Sequence, residues 1–194
     1  MAVTGGVACG KSRVGALLAE WGMPVCEADD LAHDLMRPGG GVFDEVVRVF
    51  GRGVLGSDGQ VDRAALGRVV FAQPEALRTL NAVVHPEVKK SWEAWLTKQE
   101  REFSRAAAVI IPLLYEAGFR GGWDAVICVT ATERTQRNRL ACRGLTEAEA
   151  RRRMSAQMST ARKAELADYV IVNDGAEDLL REQTRRVWRH ILET

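Results

Sequence analysis

The chain has 194 residues, 46% hydrophobic and 27% charged, with a formal charge of +1. That balance makes no general case for nucleic acid or a membrane surface as partner, and no apolar run approaches a membrane span. The length suits one α/β core with one or two small lobes but not two large domains, and with no basic-then-apolar leader the expected location is cytoplasmic.

Chemistry enters at the start. Gly5-Gly6-Val7-Ala8-Cys9-Gly10-Lys11-Ser12 is a glycine, four free positions, then Gly-Lys-Ser, the phosphate-loop pattern. The apolar run Ala2-Val3-Thr4 precedes it, and Val14, Leu17, Leu18 and Trp21 follow at helical spacing. Strand, glycine-rich turn and helix N-terminus together make an anion site from converging main-chain N–H groups. Lys11 adds a point charge for the β- and γ-phosphates of a nucleotide, and the Ser12 hydroxyl is a ligand for Mg²⁺. Only four residues precede Gly5, so the first strand is short for a central one. Cys9, Cys26, Cys128 and Cys142 form no Cys-x-x-Cys pair and read as reduced thiols, mostly buried.

Gly22-Met23-Pro24 ends the first helix, and Val25-Cys26 starts a strand running into Glu27-Ala28-Asp29-Asp30. Ligands of parallel sheets bind at the C-terminal strand tips. Either of the two aspartates is therefore a candidate for catalysis, and either can cap a helix beginning near Leu31. Pro38-Gly39-Gly40-Gly41 interrupts the chain. Helical spacing follows at Phe43, Val46, Val47 and Phe50, closed by Gly51; Asp58-Gly59 is a tight turn, and Asp62 an N-cap. Pro74 opens a helix reaching His85-Pro86, and a second runs from Glu87 to about Glu102 with Val88, Trp92, Trp95 and Leu96 inward. An all-helical stretch from about 30 to 102 exceeds a simple crossover and is expected to be an inserted lobe.

Ala106 to Pro112, Ala125 to Val129 and Tyr169 to Val172 are continuous apolar runs. With the two earlier strands they predict a five-stranded parallel sheet, closed by a helix from Asp178. Between Glu133 and Lys163 lie eight arginines and one lysine against three acids. Most fit a solvated helical face. A lid closing arginines over phosphates, hinged at Gly144, is the sharper reading. A single-strand nucleic-acid surface fits worst, because no aromatic residue occurs between Trp123 and Tyr169.

Several elements together resemble one family: Thr4-Gly5-Gly6 through Gly10-Lys11-Ser12; Ala28-Asp29; Asp62-Arg63; His85-Pro86; Pro112-Leu113-Leu114-x-Glu116; Arg139 and Arg143; Arg153-Met154 with Gln157; and Ala167-Asp168 with Asn173 and Gly175. Over nearly its whole length the chain is similar to dephospho-coenzyme A kinases. The resemblance implies an α/β P-loop NTPase three-layer fold with a five-stranded parallel sheet, an inserted helical substrate domain and a helical lid. It implies a core of 1–29, 103–139 and 161–194, a CoA-binding domain at 30–102 and a lid at 140–160. The implied reaction transfers the γ-phosphoryl of ATP, with Mg²⁺, to the ribose 3′-hydroxyl of dephospho-CoA. Implied ATP-site residues are Gly5, Gly6, Val7, Ala8, Cys9, Gly10, Lys11, Ser12, Arg13, Val14, Asn173 and Gly175, with Ser12 on the metal. Asp29 is the implied base and, with His85, Leu113 and Glu116, touches the acceptor; Lys11, Arg139 and Arg143 face transferring phosphate. A monomer without nucleic-acid or membrane partner is expected. Ala8-Cys9, Arg13 and Glu27 depart from the usual Gly-Ser, Thr and Asp; Ala8 then requires a backbone that avoids strongly positive φ, and a part for Glu27 beside Asp29 stays open. Another nucleoside monophosphate-type kinase is the alternative. A guanine-nucleotide switch is disfavoured, since no Asn-Lys-x-Asp segment exists.

Overall fold

Of the three continuous apolar runs, two become inner strands of a sheet and the third an edge. In the computed structural model, which describes residues 1–102 and 105–193, β1 (Ala2–Gly5), β2 (Val25–Glu27), β3 (Ala108–Ile110), β4 (Val126–Thr130) and β5 (Tyr169–Val172) form one five-stranded sheet. The order is β2-β3-β1-β4-β5, and every pairing is parallel, as expected. β1 and β3 are wholly buried because helices cover both faces of a parallel sheet, which is why their sequences are apolar without alternation. The edge strand β5 instead exposes Val170 and Val172. Its outer edge is closed by Gln183, whose side-chain amide accepts from Val172 N at 3.0 Å and donates to Val172 O at 2.9 Å.

The chain divides into two units, Met1–Glu27 with Lys98–Thr194, and Ala28–Thr97. In the first, α1 (Lys11–Glu20) packs against α9 (Glu177–Glu193), where Trp21 stacks on Trp188 with ring centroids 5.3 Å apart. Val3, Val14, Leu17, Leu18, Ile110, Ile127, Val129 and Ile171 form the core beneath. The segment after β4 folds as α6 (Glu133–Cys142), α7 (Glu147–Ser155) and α8 (Thr160–Leu166), and α8 lies against β4 and β1. Thr146 and Glu149 make a reciprocal capping box at the start of α7. The expected start of the second core segment at residue 103 falls outside the described residues.

The second unit is helical: α2 (Ala28–Leu35), α3 (Gly41–Phe50), a 3-10 turn (Arg52–Val54), α4 (Arg63–Ala72) and most of α5 (Pro74–Arg101). Asp62 caps α4 by accepting from Ala64 N at 2.8 Å and Ala65 N at 3.2 Å. Two expectations are corrected. α2 begins at Ala28, directly after β2, so Asp29 and Asp30 lie in its first turn rather than before a helix at Leu31, where they complement the helix dipole. Pro86 does not end a helix either. α5 is continuous for 28 residues, with Pro86 inside it. The proline removes one backbone donor, but Val84, Val88 and Trp92 on either side stay buried and hold both halves in line.

Candidate active site

The loop joining β1 to α1 contains two left-handed residues. Gly10 has φ 101, and a Cβ there would meet Asn173 Nδ2 at 2.1 Å, so only glycine fits. Ala8 also lies in this region, at φ 57. The expectation that it avoids strongly positive φ is therefore overturned. A side chain in that conformation costs roughly 1–2 kcal/mol, and tethers around it hold it there. The Arg139 guanidinium donates to Ala8 O at 3.1 Å, to Cys9 O at 3.4 Å and to Asn173 O at 2.9 Å. Asn173 Nδ2 donates to Cys9 O at 2.8 Å. Fixing these carbonyls fixes the direction of the adjoining N–H groups, on which an anion cradle depends.

Lys11 Nζ donates to Gly5 O at 3.1 Å and Gly6 O at 2.8 Å, so the ammonium lies along the first half of the loop. Ser12 Oγ donates to Glu27 Oε2 at 3.0 Å. Glu27 ends β2, and this contact gives it a part that its sequence position left open. Among the described residues no group of three or more His, Cys, Asp or Glu side chains could hold a metal ion. A hydroxyl beside a carboxylate is nevertheless the donor set that suits Mg²⁺, which keeps several waters and takes its remaining oxygens from phosphates. Burial pushes the Cys9 thiol above its ordinary pKa, and Cys128 further, to about 12. Cys9, Cys26 and Cys128 are buried and Cys142 is exposed, all in the reduced form.

The remaining predicted residues are spread more widely. Arg13 pairs with Glu177 of α9 and, at 3.6 Å, with Glu20, while Val14 is fully buried in the core. Gly175 lies in the turn before α9, and Arg143 is the exposed C-cap of α6. Leu113 and Glu116 follow β3 in the first unit. Asp29 and His85 belong to the second, Asp29 two residues beyond Glu27 and His85 half-buried within α5, where burial lowers its pKa.

Lys163 departs most from the solvated face its neighbours suggest. It is wholly buried, donating to Pro112 O at 2.6 Å and pairing with Glu116 Oε1 at 2.9 Å. The same carboxylate oxygen accepts from Met158 N at 2.8 Å, tying the segment between α7 and α8 to the turn after β3. Reading by residue missed this lysine, because one cation in a basic stretch carries no sign of burial. The Glu116 carboxylate four residues after Pro112 was the nearest signal.

A profile of the family described as dephospho-CoA kinase matches residues 1–178. A dephospho-CoA kinase from Symbiobacterium thermophilum is 44% identical over 188 residues, 96% of this chain and 79% of its own length. A solved structure from Thermus thermophilus is similar at a TM-score of 0.80 and 35% identity, covering 97% of this chain and 95% of that one. The dephospho-CoA kinase of Campylobacter jejuni gives a TM-score of 0.70 at 25% identity, over 99% and 96%.

Proposed function

The chain belongs to the dephospho-CoA kinase family, and from that premise we propose how its residues carry out ATP-dependent phosphorylation of dephospho-CoA, the last step of coenzyme A formation. The observation that carries the reading is the loop from Gly5 to Ser12, whose carbonyls are pinned by Arg139 and Asn173. Phosphoryl transfer asks a protein for position and charge more than for covalent chemistry. The loop amides and Lys11 hold the β- and γ-phosphates, Lys11 exchanging two neutral carbonyl acceptors for anionic oxygens. Ser12 and Glu27 are the residues that would hold Mg²⁺, which when bound neutralises phosphate charge. Arg139, already fixed against the loop, and the exposed Arg143 face the transferring group. Asn173 and Gly175 wall the donor's base.

Asp29 orients or deprotonates the ribose 3′-hydroxyl. His85 and Leu113 touch the acceptor, as does Glu116 through Oε2, the oxygen that neither Lys163 nor Met158 N engages. Residues 30–102 act as the CoA-binding domain and 140–160 as a lid on a core of 1–29, 103–139 and 161–194. No helix among the described residues is long and apolar enough to cross a membrane, and a cytoplasmic monomer acting on small molecules alone completes the proposal. A coupled ADP-release assay tests it. ADP should appear with dephospho-CoA and not without it; equal release in its absence would turn the protein into a hydrolase. A general base contributes about 10²–10⁴-fold, so Asp29→Asn should lower turnover by that factor while ATP still binds. Turnover within a few-fold of the parent would remove Asp29 from the role.

A further inference from the structure

Beside the phosphate loop, within the first unit, a cavity of about 640 Å³ opens between Gly6 and Val7 on one side and α7 with the start of α8 on the other. Gly6 and Val7 belong to the phosphate loop, and the rest of the cavity's lining takes no named part in the transfer. Its far wall holds an anomaly: Gln157 Oε1 is buried and accepts no hydrogen bond among the described residues. A buried acceptor without a donor loses its hydration for nothing in return, so such an atom marks a place where a donor arrives from outside. Met154 and Met158, both half-buried, line the same space and offer the polarizable, adaptable surface that suits the face of a flat ring. Met154 also packs on the small cluster of Ala8 and Leu140, which places this wall directly on the loop.

The rim is cationic. Arg137 and Arg151 line the cavity and share one exposed partner, Glu147, at 3.6 and 3.0 Å. Exposed pairs of this kind are held weakly, and a polyanion displaces the carboxylate at little cost. A buried amide oxygen, two thioether surfaces and two guanidinium groups complement a molecule with an amino-bearing base at one end and phosphates at the other.

Two nucleotides take part in the reaction, and their chemistry separates them. The acceptor's reacting hydroxyl sits on the same ribose as its base, so that base lies one sugar ring from the γ-phosphate held by the loop. The donor's base is separated from that phosphate by the whole triphosphate and is assigned to the Asn173 side, where Asn173 reaches Cys9 and Gly10. The cavity begins at Gly6 and Val7, and neither Asn173 nor the Cys9 and Gly10 it reaches lines it. Resting on the family reading, we propose that it receives the adenosine 5′-diphosphate end of dephospho-CoA, with Gln157 Oε1 accepting from the 6-amino group of adenine and Arg137 and Arg151 on the diphosphate.

Steady-state kinetics of the full chain test this, using dephospho-CoA and its hypoxanthine analogue, which lacks the amino donor. The parent should favour the adenine acceptor about 10-fold, the worth of one buried hydrogen bond. Gln157→Leu should raise KM for dephospho-CoA by about the same factor, erase the preference and leave KM for ATP unchanged. Arg151→Ala should raise KM for dephospho-CoA by about 5-fold and weaken its salt dependence; this second variant, with melting temperatures for both, keeps the test open should Gln157→Leu unfold. A rise in KM for ATP alone would assign the cavity to the donor and overturn the proposal, as would unchanged kinetics for both substrates in folded variants. Failure of the parent itself to use dephospho-CoA would instead refute the family-based function.

Discussion

Lys11 and Lys163 both donate to main-chain carbonyls of the first unit, yet they are built differently. Lys11 is partly exposed and rests on the neutral oxygens of Gly5 and Gly6. Lys163 is wholly buried and divides its protons between Pro112 O and the Glu116 carboxylate. The difference follows from what each must do. On the proposed function Lys11 exchanges its partners for phosphate each cycle, and such a cation has to be reachable, since every strong contact made beforehand is subtracted from binding. A cation removed from water for good needs a counter-charge and fixed geometry, or burial costs more than it returns. Residue type does not tell them apart; partner and exposure do.

The largest effect expected from this contrast is at Lys11. Lys11→Ala should lower turnover by about 10²–10³-fold, the range for losing one preorganised stabiliser of developing charge, and should weaken ATP binding as well. Its melting temperature should fall less than that of a Lys163 variant, because losing Lys11 leaves two neutral carbonyls and no carboxylate short of a donor. Normal kinetics in this variant would count against the whole site.

Lys163→Met should show the reverse. It takes the ammonium from both acceptors, leaving Glu116 Oε1 with Met158 N alone and Pro112 O with the longer contact from Thr4 Oγ1 at 3.4 Å, and with the Glu116 side chain only 21% exposed water recovers part of the loss. A destabilisation of about 2–3 kcal/mol follows, which for a chain of this size lowers the melting temperature by roughly 5–10 °C. Turnover below the transition should fall only a few-fold. Adding Glu116→Leu should restore part of the stability, since it removes a mostly buried carboxylate that has lost its counter-charge. A Lys163→Met protein that melts like its parent and yet turns over a hundred-fold more slowly would erase the distinction between the two lysines.

How far each feature could be read from residues depends on whether its cause is local. The strand–turn–helix around Gly10-Lys11, the Asp62 cap and the apolar strands answer to neighbours a few positions away, and they appear where expected. Pro86 is a strong local stop, yet burial of Val84, Val88 and Trp92 overrides it. The Ser12–Glu27 contact needs β2 placed near the loop, and the burial of Lys163 needs α8 laid against β4 and β1. Neither is written in the spacing of its own segment. The same holds for Gln157, whose orphaned oxygen exists only once the segment between α7 and α8 has folded beside the loop.

Ala8 offers the finest test of how the first half of the loop is held. Its left-handed backbone is one that glycine adopts freely, and Arg139 holds the carbonyls on either side of the following peptide. Ala8→Gly removes a conformational cost of roughly 1–2 kcal/mol but adds back about 0.5–1 kcal/mol of unfolded-state freedom. The net gain should be about 0.5 kcal/mol, a rise of one or two degrees in melting temperature. In this background Arg139→Ala should lose less ATP affinity than it does alone, because the arginine would no longer be needed to hold a strained residue. A double mutant whose losses simply add would mean that Arg139 acts on the nucleotide directly and not through the loop. Lys11, which rests on Gly5 and Gly6 in the same half of the loop, should then keep its full effect on turnover in either background, since its role depends on reach and not on that strain.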